Sequence, residues 1–448
     1  MPYELWKIIF LHVAADLPFI KARESAKMSA VCRFWRQIVV ESSELWDVFA
    51  LDLDRTMDER SILLMIRRSG LRHLHVYLTH QTPEMRRCSS TEHECARLRR
   101  FIHILSLCMG RVKTWQAELS CSSSAGDMML NMQGAATSLK ELTLLCPLFS
   151  RQDPRNRAEP AQIVFNLSPW IPRFQAPHLE NLTLSVACFR ITQTLSHFAS
   201  IRSLTLVLGT ENVARSLDGG LLLKTLAALP SLTYLKIDGS SVPIFDLSNS
   251  NFPAVVFEFP SLQYLCMDTV SKNLFTSLLT CVRFPALVRL DITNLYHFLT
   301  LYRIFTHLNT QANAPLLQTL RLCQFGPNVL CSIFPHLTFC RTLILHQAVT
   351  LDDPQLLMLS MPHGTETWFC PNVTSLELDR VPLITVHALR CLVRERKTQH
   401  ANTPGQGPNA LVDLKVFHTA PLGEVHKAWF RDNVPTFHWG VRRASIDV

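Results

Sequence analysis

Glycine is scarce in this chain, with 14 residues in 448, and the glycine-dependent motifs of common enzyme classes are absent. The sequence contains no Gly-x-Gly-x-x-Gly, no Gly-x-x-x-x-Gly-Lys and no Gly-x-Ser-x-Gly. The first two motifs bring the backbone close to phosphate groups, and the third exposes a nucleophilic serine on a tight turn. We therefore expect no cofactor, no catalytic residues and no enzyme activity in the chain itself.

Spaced metal ligands are also lacking. There is no Cys-x-x-Cys and no His-Glu-x-x-His, which are spacings that commonly hold zinc. The run His93-Glu94-Cys95 lacks a partner pair of ligands. The 14 cysteines are scattered singly, which is typical of buried, reduced thiols. We expect no metal site, and a protein of the cytoplasm, the nucleus or both.

Long apolar runs and concentrated charge are missing as well. No uninterrupted apolar run approaches the roughly eighteen residues of a membrane span. The net charge is +8, yet the basic residues are dispersed and do not interleave with aromatic residues as a base-stacking surface would. We expect neither a membrane nor a nucleic acid as a partner.

What the chain contains instead is an apolar, helical opening over residues 1–49. Its apolar residues recur at helical spacing in three pieces, over 2–13, 28–39 and 45–49. Three short helices carry more apolar surface than they can bury among themselves. Exposed apolar patches of this kind usually mark an interface.

Short motifs within this opening resemble the F-box. That pattern begins Leu-Pro-x-Glu-Leu/Ile, continues through Ile-Phe and Val-Cys-x-x-Trp-Arg, and ends at Pro-x-Leu-Trp. This chain departs from it at Met1 and Glu44. The matching runs are Pro2-Tyr3-Glu4-Leu5, Ile9-Phe10, Val31-Cys32-Arg33-Phe34-Trp35-Arg36 and Leu45-Trp46.

The resemblance implies a docking function. F-box proteins dock through this bundle onto a Skp-family adaptor, which joins them to a cullin–RING ubiquitin ligase. The sequence does not separate adaptor binding from bundle core, and the alternative is that the helices only cap a repeat array. The residues implied for these roles are Pro2, Leu5, Ile8, Ile9, Val31, Cys32, Trp35, Leu45 and Trp46.

After residue 49 a phrase of the form Leu-x-x-Leu-x-Leu recurs, often preceded by proline, with helical patterns such as 221–229 and 384–393 between copies. The spacing of about 25 to 31 residues is typical of leucine-rich repeats. In the clearest copies the second leucine is Leu204, Leu235, Leu265, Leu290 and Leu320.

These patterns predict an α/β fold class. We expect a small helical F-box bundle over 1–49, followed over 50–448 by an irregular leucine-rich-repeat solenoid with a parallel strand wall. The alternative is an ordinary α/β core without true repeats. The irregularity resembles F-box proteins with divergent leucine-rich repeats, which are abundant in mushroom-forming fungi. Polar stretches predict loops at 89–94, 120–127 and 151–160, and a mobile loop at 398–409.

Alternation along each predicted strand places the leucines inward and their neighbours on a concave wall. This wall is mixed in charge and suits a protein or peptide that the sequence does not identify. We therefore expect the substrate-recognition subunit of a Skp–cullin–F-box type ubiquitin ligase. The alternative is a leucine-rich-repeat interaction scaffold that is not coupled to ubiquitination. The candidate substrate wall comprises Tyr234, Lys236, Asp238, Tyr264, Asp268, Arg289, Asp291, Arg321, Glu377 and Asp379.

Overall fold

A computed structural model places the chain in two compact units, Met1–Leu217 and Asp218–Val448, which we call unit 1 and unit 2. The structure describes residues 1–14, 18–55, 58–80, 91–120, 122–146, 174–185, 199–208, 219–239, 256–270, 275, 278–279, 281–295, 305, 308, 314–326, 329–363, 367–403, 405 and 407–441.

Unit 1 opens with helices and continues with strands that alternate with helices. Its helices are α1 (Tyr3–Val13), α2 (Pro18–Val31), α3 (Arg33–Glu41), α4 (Glu59–Arg68), α5 (Thr91–Ser106) and α6 (Ser122–Asn131). Its strands are β1 (Val48–Asp52), β2 (Leu74–Thr79), β3 (Val112–Glu118), β4 (Gly134–Ala135), β5 (Glu141–Leu145), β6 (Phe174–Gln175), β7 (Asn181–Ser185) and β8 (Ser203–Val207). The long strands are parallel in the order β1-β2-β3-β5-β7-β8, and β4 pairs with β6.

Unit 2 also combines parallel strands with helices. Its helices are α7 (Gly219–Ala227), α8 (Val329–Ile333), α9 (Asp353–Leu357), α10 (Val386–Asn402) and α11 (Glu424–Asn433). The parallel wall consists of β9 (Tyr234–Asp238), β11 (Tyr264–Asp268), β13 (Arg289–Leu295), β14 (Thr319–Phe325), β15 (Thr342–His346), β18 (Ser375–Asp379), β19 (Asp413–Phe417) and β20 (Thr436–Gly440), in that order. Two short pairs lie outside this wall, β10 (Phe257–Glu258) with β12 (Val282–Arg283), and β16 (Pro362–His363) with β17 (Thr367–Trp368).

The leucines of the repeated phrase form the core. Leu235, Leu265, Leu290 and Leu320 share one register position on adjacent strands, and each is fully buried. Parallel pairing stacks identical positions of successive repeats, so the leucines of neighbouring strands form one continuous buried apolar column. This arrangement confirms the predicted α/β fold with its parallel strand wall and repeats.

On six of the described wall strands of unit 2, β11, β13, β14, β15, β18 and β19, the backbone turns at the same point. The sixth residue counted from the start of each of these strands has a φ between 50° and 60°. These residues are Thr269, Asn294, Gln324, Gln347, Arg380 and His418. A left-handed backbone costs a non-glycine residue about 1–2 kcal/mol. Part of this cost is offset because the N–H groups of these residues continue the ladder, for example Gln347 to the Asp379 carbonyl at 2.8 Å. The shared turn therefore comes from strand pairing and does not depend on one residue type.

The N-terminal helices lead directly into the sheet at β1. We predicted a helical piece through Phe49, which was wrong, because Phe49 lies in register with Val76 on β2. Strand β1 thus spans the boundary predicted between residues 49 and 50. It also packs against α2. A separate F-box domain ending at residue 49 stays a prediction.

Some predicted loops are helical. Helices α5 and α6 begin at Thr91 and Ser122, inside the stretches 89–94 and 120–127. Glu92 and Glu94 were predicted to lie in a loop, but they lie in the first turn of α5. Acidic side chains complement the helix dipole there. Helix α10 likewise runs to Asn402 and shortens the loop predicted at 398–409. The stretch 151–160 lies outside the described residues.

Candidate functional site

The N-terminal helices are held together by an aromatic and aliphatic core. Phe10, Ala14, Met28, Ile38, Val39, Leu45 and Trp46 form one buried cluster. Trp35 packs on it, with its ring centroid 4.8 Å from Phe10 and 5.0 Å from Trp6. The Trp46 indole N–H donates to the Val39 carbonyl at 2.7 Å. A polar partner of this kind is what a buried indole requires. Leu45 and Trp46 therefore support the bundle from inside.

Other apolar side chains of these helices are exposed. Ile8 is 61% exposed on α1, and Val31 is 61% exposed at the end of α2. Leu5 and Ile9 are exposed beside Ile8. We call the exposed apolar side chains of α1 to α3 the helical face: Leu5, Ile8, Ile9, Val13, Val31 and Phe34. Several large exposed apolar side chains on one set of helices are a common sign of an interaction surface.

The structure distributes the predicted adaptor residues between these two regions. Pro2, Leu5, Ile8, Ile9, Val31 and Cys32 are exposed, Trp35 is half-buried, and Leu45 and Trp46 are buried. The predicted adaptor set omits Val13 and Phe34, although Val13 lies in the first helical piece and Phe34 in the run from Val31 to Arg36. The sequence does not tell which apolar residues of these short helices face inward.

Local contacts explain how the helical face is presented. The Cys32 side chain caps α3 by accepting the Trp35 N–H at 3.4 Å. Glu44 receives Lys7 at 3.1 Å and Arg72 at 2.5 Å, and so connects α1 with the chain leading into β2. Burial acts to raise the pKa of Glu44, but its backbone hydrogen bond and the two cations outweigh burial and lower it.

The predicted wall residues all lie on strands of unit 2. Tyr234, Lys236 and Asp238 are on β9, and their register neighbours on β11 are Tyr264, Cys266 and Asp268. The remaining predicted residues lie on three further strands: Arg289 and Asp291 on β13, Arg321 on β14, and Glu377 and Asp379 on β18. The structure thus brings the predicted set onto one sheet face, which we call the unit 2 wall.

Asp291 is the central acceptor of one hydrogen-bond network on this wall. Its side chain is 4% exposed and accepts two bonds from Arg289, at 2.8 and 3.0 Å. It also accepts the Tyr264 hydroxyl at 2.5 Å, and Arg321 lies 3.6 Å away. Burial and the bond to Asp291 raise the pKa of Tyr264 well above its ordinary value, so the hydroxyl stays a donor.

Asp379 is a second centre, built partly from residues that sequence reasoning missed. Its carboxylate, 3% exposed, receives His346 at 3.0 Å and His418 at 2.7 Å. Arg321 lies 2.8 Å from the other ring nitrogen of His346, which joins the two centres. His346 lies on the repeat with the weakest leucine phrase, and His418 follows β19 in the shared turn. Extending the period of the leucine phrase through the weak copy would have placed both histidines beside Asp379.

Aromatic groups extend the wall toward β9. The rings of Tyr234 and Tyr264 meet edge to face at 4.8 Å, and the Arg289 guanidinium lies 4.9 Å from the Tyr264 ring centroid. Lys236 pairs with Asp238 at 3.0 Å. Burial raises the pKa of the neighbouring Cys266 thiol to about 11, so it is not a reactive thiolate. The wall is therefore an ordered surface on which charged side chains pair with one another.

The described part of the chain was also compared with the patterns of metal sites and of membrane-spanning helices. No group of three or more histidine, cysteine, aspartate or glutamate side chains there is arranged to hold a metal ion. Glu94 and Cys95 are buried on α5, while His93 is exposed, so this run does not point to one place. Among the described helices, none has the length and apolarity that a membrane crossing needs.

Comparisons with known proteins place this chain in no family. No family model and no curated protein matches it. Among solved structures, it is similar to a chain of the Rad7 and Elc1 complex from yeast, at 13% identity over 88% of this chain and 100% of that one, with a TM-score of 0.27. It is also similar to a chain of the TLR13–ssRNA13 complex, at 12% identity over 79% of this chain and 53% of that one, again with a TM-score of 0.27. Similarities at this TM-score support no functional argument.

Proposed function

We propose that this chain is the substrate-recognition subunit of a Skp–cullin–F-box type ubiquitin ligase. The helical face docks on a Skp-family adaptor, and the unit 2 wall binds a protein substrate. The observation that carries the proposal is the division of the F-box-like motif into a packed core and an exposed apolar face. A solenoid cap would bury these residues against the repeats, but Ile8 and Val31 are exposed.

The proposed mechanism is proximity. The chain itself catalyses nothing; it holds the substrate beside a ubiquitin-charged enzyme that the cullin brings. Tethering of this kind raises the effective concentration of the reacting groups. Leu5, Ile8, Ile9 and Val31 supply buried contact area, with Pro2 and Cys32 at its margin. Trp35, Leu45 and Trp46 act indirectly by fixing the helices that carry these side chains.

Co-purification with a Skp-family adaptor tests the proposal. We compare the intact chain with an Ile8→Asp, Val31→Asp double variant, because both positions are exposed and the variant should fold. A charge buried at a central contact should cost about 2 kcal/mol or more, roughly thirtyfold in Kd. Leu71→Asp is the matched control, since Leu71 is 96% exposed and lies outside the helical face.

Loss of binding in the double variant, with the control unaffected, supports the proposal. Equal binding by all three proteins contradicts the assignment of the helical face. If the intact, folded chain binds no Skp-family adaptor, the chain is instead an interaction scaffold that is not coupled to ubiquitination.

A further inference from the structure

A groove of about 740 Å³ lies in unit 2, at the ends where its strands begin. Its floor is formed by residues directly before four neighbouring strands, Gln318, Arg341, Thr374 and Val412. Their main chains are already paired: Arg341 N–H donates to Gln318 at 2.8 Å, and Thr374 N–H donates to Arg341 at 2.9 Å. The floor is therefore a fixed backbone, and its side chains give the groove its chemistry.

The groove is electropositive. Arg341 and His400 are the basic residues in its lining, and no aspartate or glutamate lines it. Arg341 is exposed, and no ion pair involves it within the described residues of unit 2. An exposed guanidinium offers donors in a planar fork that matches the two oxygens of a carboxylate or phosphate.

A buried positive charge lies behind one wall. Arg396 is fully buried and donates to main-chain carbonyls, among them those of Asn409 at 2.8 Å and Val373 at 2.8 Å. Asn409 lines the groove, and Val373 precedes Thr374 on its floor. A buried charge paired only with carbonyl dipoles is screened little by solvent, so it adds to the positive potential in the groove.

The walls are rigid and combine amide with apolar groups. Asn372 donates to the Thr338 carbonyl at 2.6 Å, and Asn409 donates to the Asn372 side chain at 3.3 Å. Phe339, which is half-buried, and Val412, which is 49% exposed, supply apolar surface beside them. An extended peptide that carries both apolar and acidic side chains matches this lining better than a small, fully polar anion does.

We infer that this groove binds an acidic peptide segment of a partner protein, with a carboxylate or phosphate oxyanion held by Arg341. The apolar side chains of the segment pack on Phe339 and Val412. This inference does not rest on adaptor docking, because its residues lie in unit 2 and the helical face lies in unit 1. Either proposal can fail without the other.

Fluorescence anisotropy on the full-length chain tests this inference. The probe is a fluorescein-labelled octapeptide of alternating glutamate and leucine, compared with the same peptide carrying glutamine for glutamate. A third peptide replaces one central glutamate by phosphoserine, and tighter binding of this peptide would identify phosphate as the preferred oxyanion. We expect saturable binding of the acidic peptides and a loss of about tenfold or more in Arg341→Gln.

Arg283→Gln is the matched control, because Arg283 is an exposed arginine of β12 in the same unit and its replacement changes net charge equally. Unchanged affinity in this control supports a specific site at Arg341. The inference is overturned if both variants weaken binding equally, since the peptide would then follow net charge. Equal binding of the neutral peptide, or no saturable binding at all, overturns it as well.

Discussion

Arg396 is the buried side chain whose replacement we expect to damage unit 2 most. It is fully buried on α10 and donates to carbonyls of three separate segments: Leu359 at 2.5 Å, Val373 at 2.8 Å and Asn409 at 2.8 Å, with longer contacts to Cys370 and Pro371. Burial lowers its pKa to about 10, so the guanidinium is still protonated at neutral pH. One side chain thus ties α10 to the turn before β18 and to the segment leading into β19.

The expected cost follows from these bonds. Arg396→Met keeps most of the volume but leaves the carbonyls of Leu359, Val373 and Asn409 without this donor, at about 1–3 kcal/mol each when buried. Removing the desolvation penalty of the buried charge offsets part of that loss. We expect a net loss of about 3–5 kcal/mol in the free energy of unfolding, and a smaller loss in Arg396→Lys, which keeps some donors.

Hydrogen exchange of β18 and α10 is the assay, because a chain of two compact units need not unfold in one step. Arg394→Met is the control, since Arg394 is an exposed residue of the same helix. Protection in Arg396→Met should fall far below that of the control. Losses equal to within about 0.5 kcal/mol would show that the carbonyl bonds contribute little, and would refute the reasoning.

Two further predictions concern buried charges elsewhere. His80 is buried between Asp54, at 2.8 Å, and Glu94, at 3.9 Å; burial acts to lower its pKa, but the two carboxylates outweigh burial and raise it. The stabilisation from protonated His80 is therefore complete below the ordinary pKa of histidine and is lost as pH rises through the raised value. Thermal unfolding of unit 1 should show this loss of stability with rising pH. His80→Gln should abolish this pH dependence. Asp291→Asn should destabilise unit 2 by about 1.5–3 kcal/mol in denaturant unfolding, because it weakens charged hydrogen bonds, whereas Asp268→Asn on the same wall should cost less than about 1 kcal/mol. Equal losses in the two variants would show that Asp291 is not a centre of the wall.

Periodicity made the wall predictable. Leu235, Leu265 and Leu290 mark the core position of successive strands, and parallel pairing then fixes which neighbours share a face. The same logic failed where the phrase was absent or weak. Strands β1 and β20 carry no leucine phrase, and the weak copy at β15 concealed His346.

Polarity and burial were harder to infer. The starts of α5 and α6 are polar because helix N-termini favour polar side chains, and this made them resemble loops. In the opening helices, Leu5 and Leu45 are chemically alike, yet Leu5 is exposed and Leu45 is buried. Only the packing around Phe10 and Trp35 separates them, and that packing depends on contacts between residues far apart in the sequence.

Ionic strength should affect the Kd values of the two proposed binding surfaces differently. The helical face would bind by burying apolar side chains such as Ile8 and Val31, and this contribution is not screened by ions. The groove at Arg341 would bind through charge, and at an ionic strength of about 0.1 M the screening length is already about 10 Å. Raising ionic strength from about 0.05 to about 0.5 M should therefore weaken acidic-peptide binding by about tenfold or more, and should change adaptor affinity by less than about threefold. Equal salt dependence of the two Kd values would mean that one driving force has been misassigned, and the Ile8→Asp, Val31→Asp and Arg341→Gln variants identify which one.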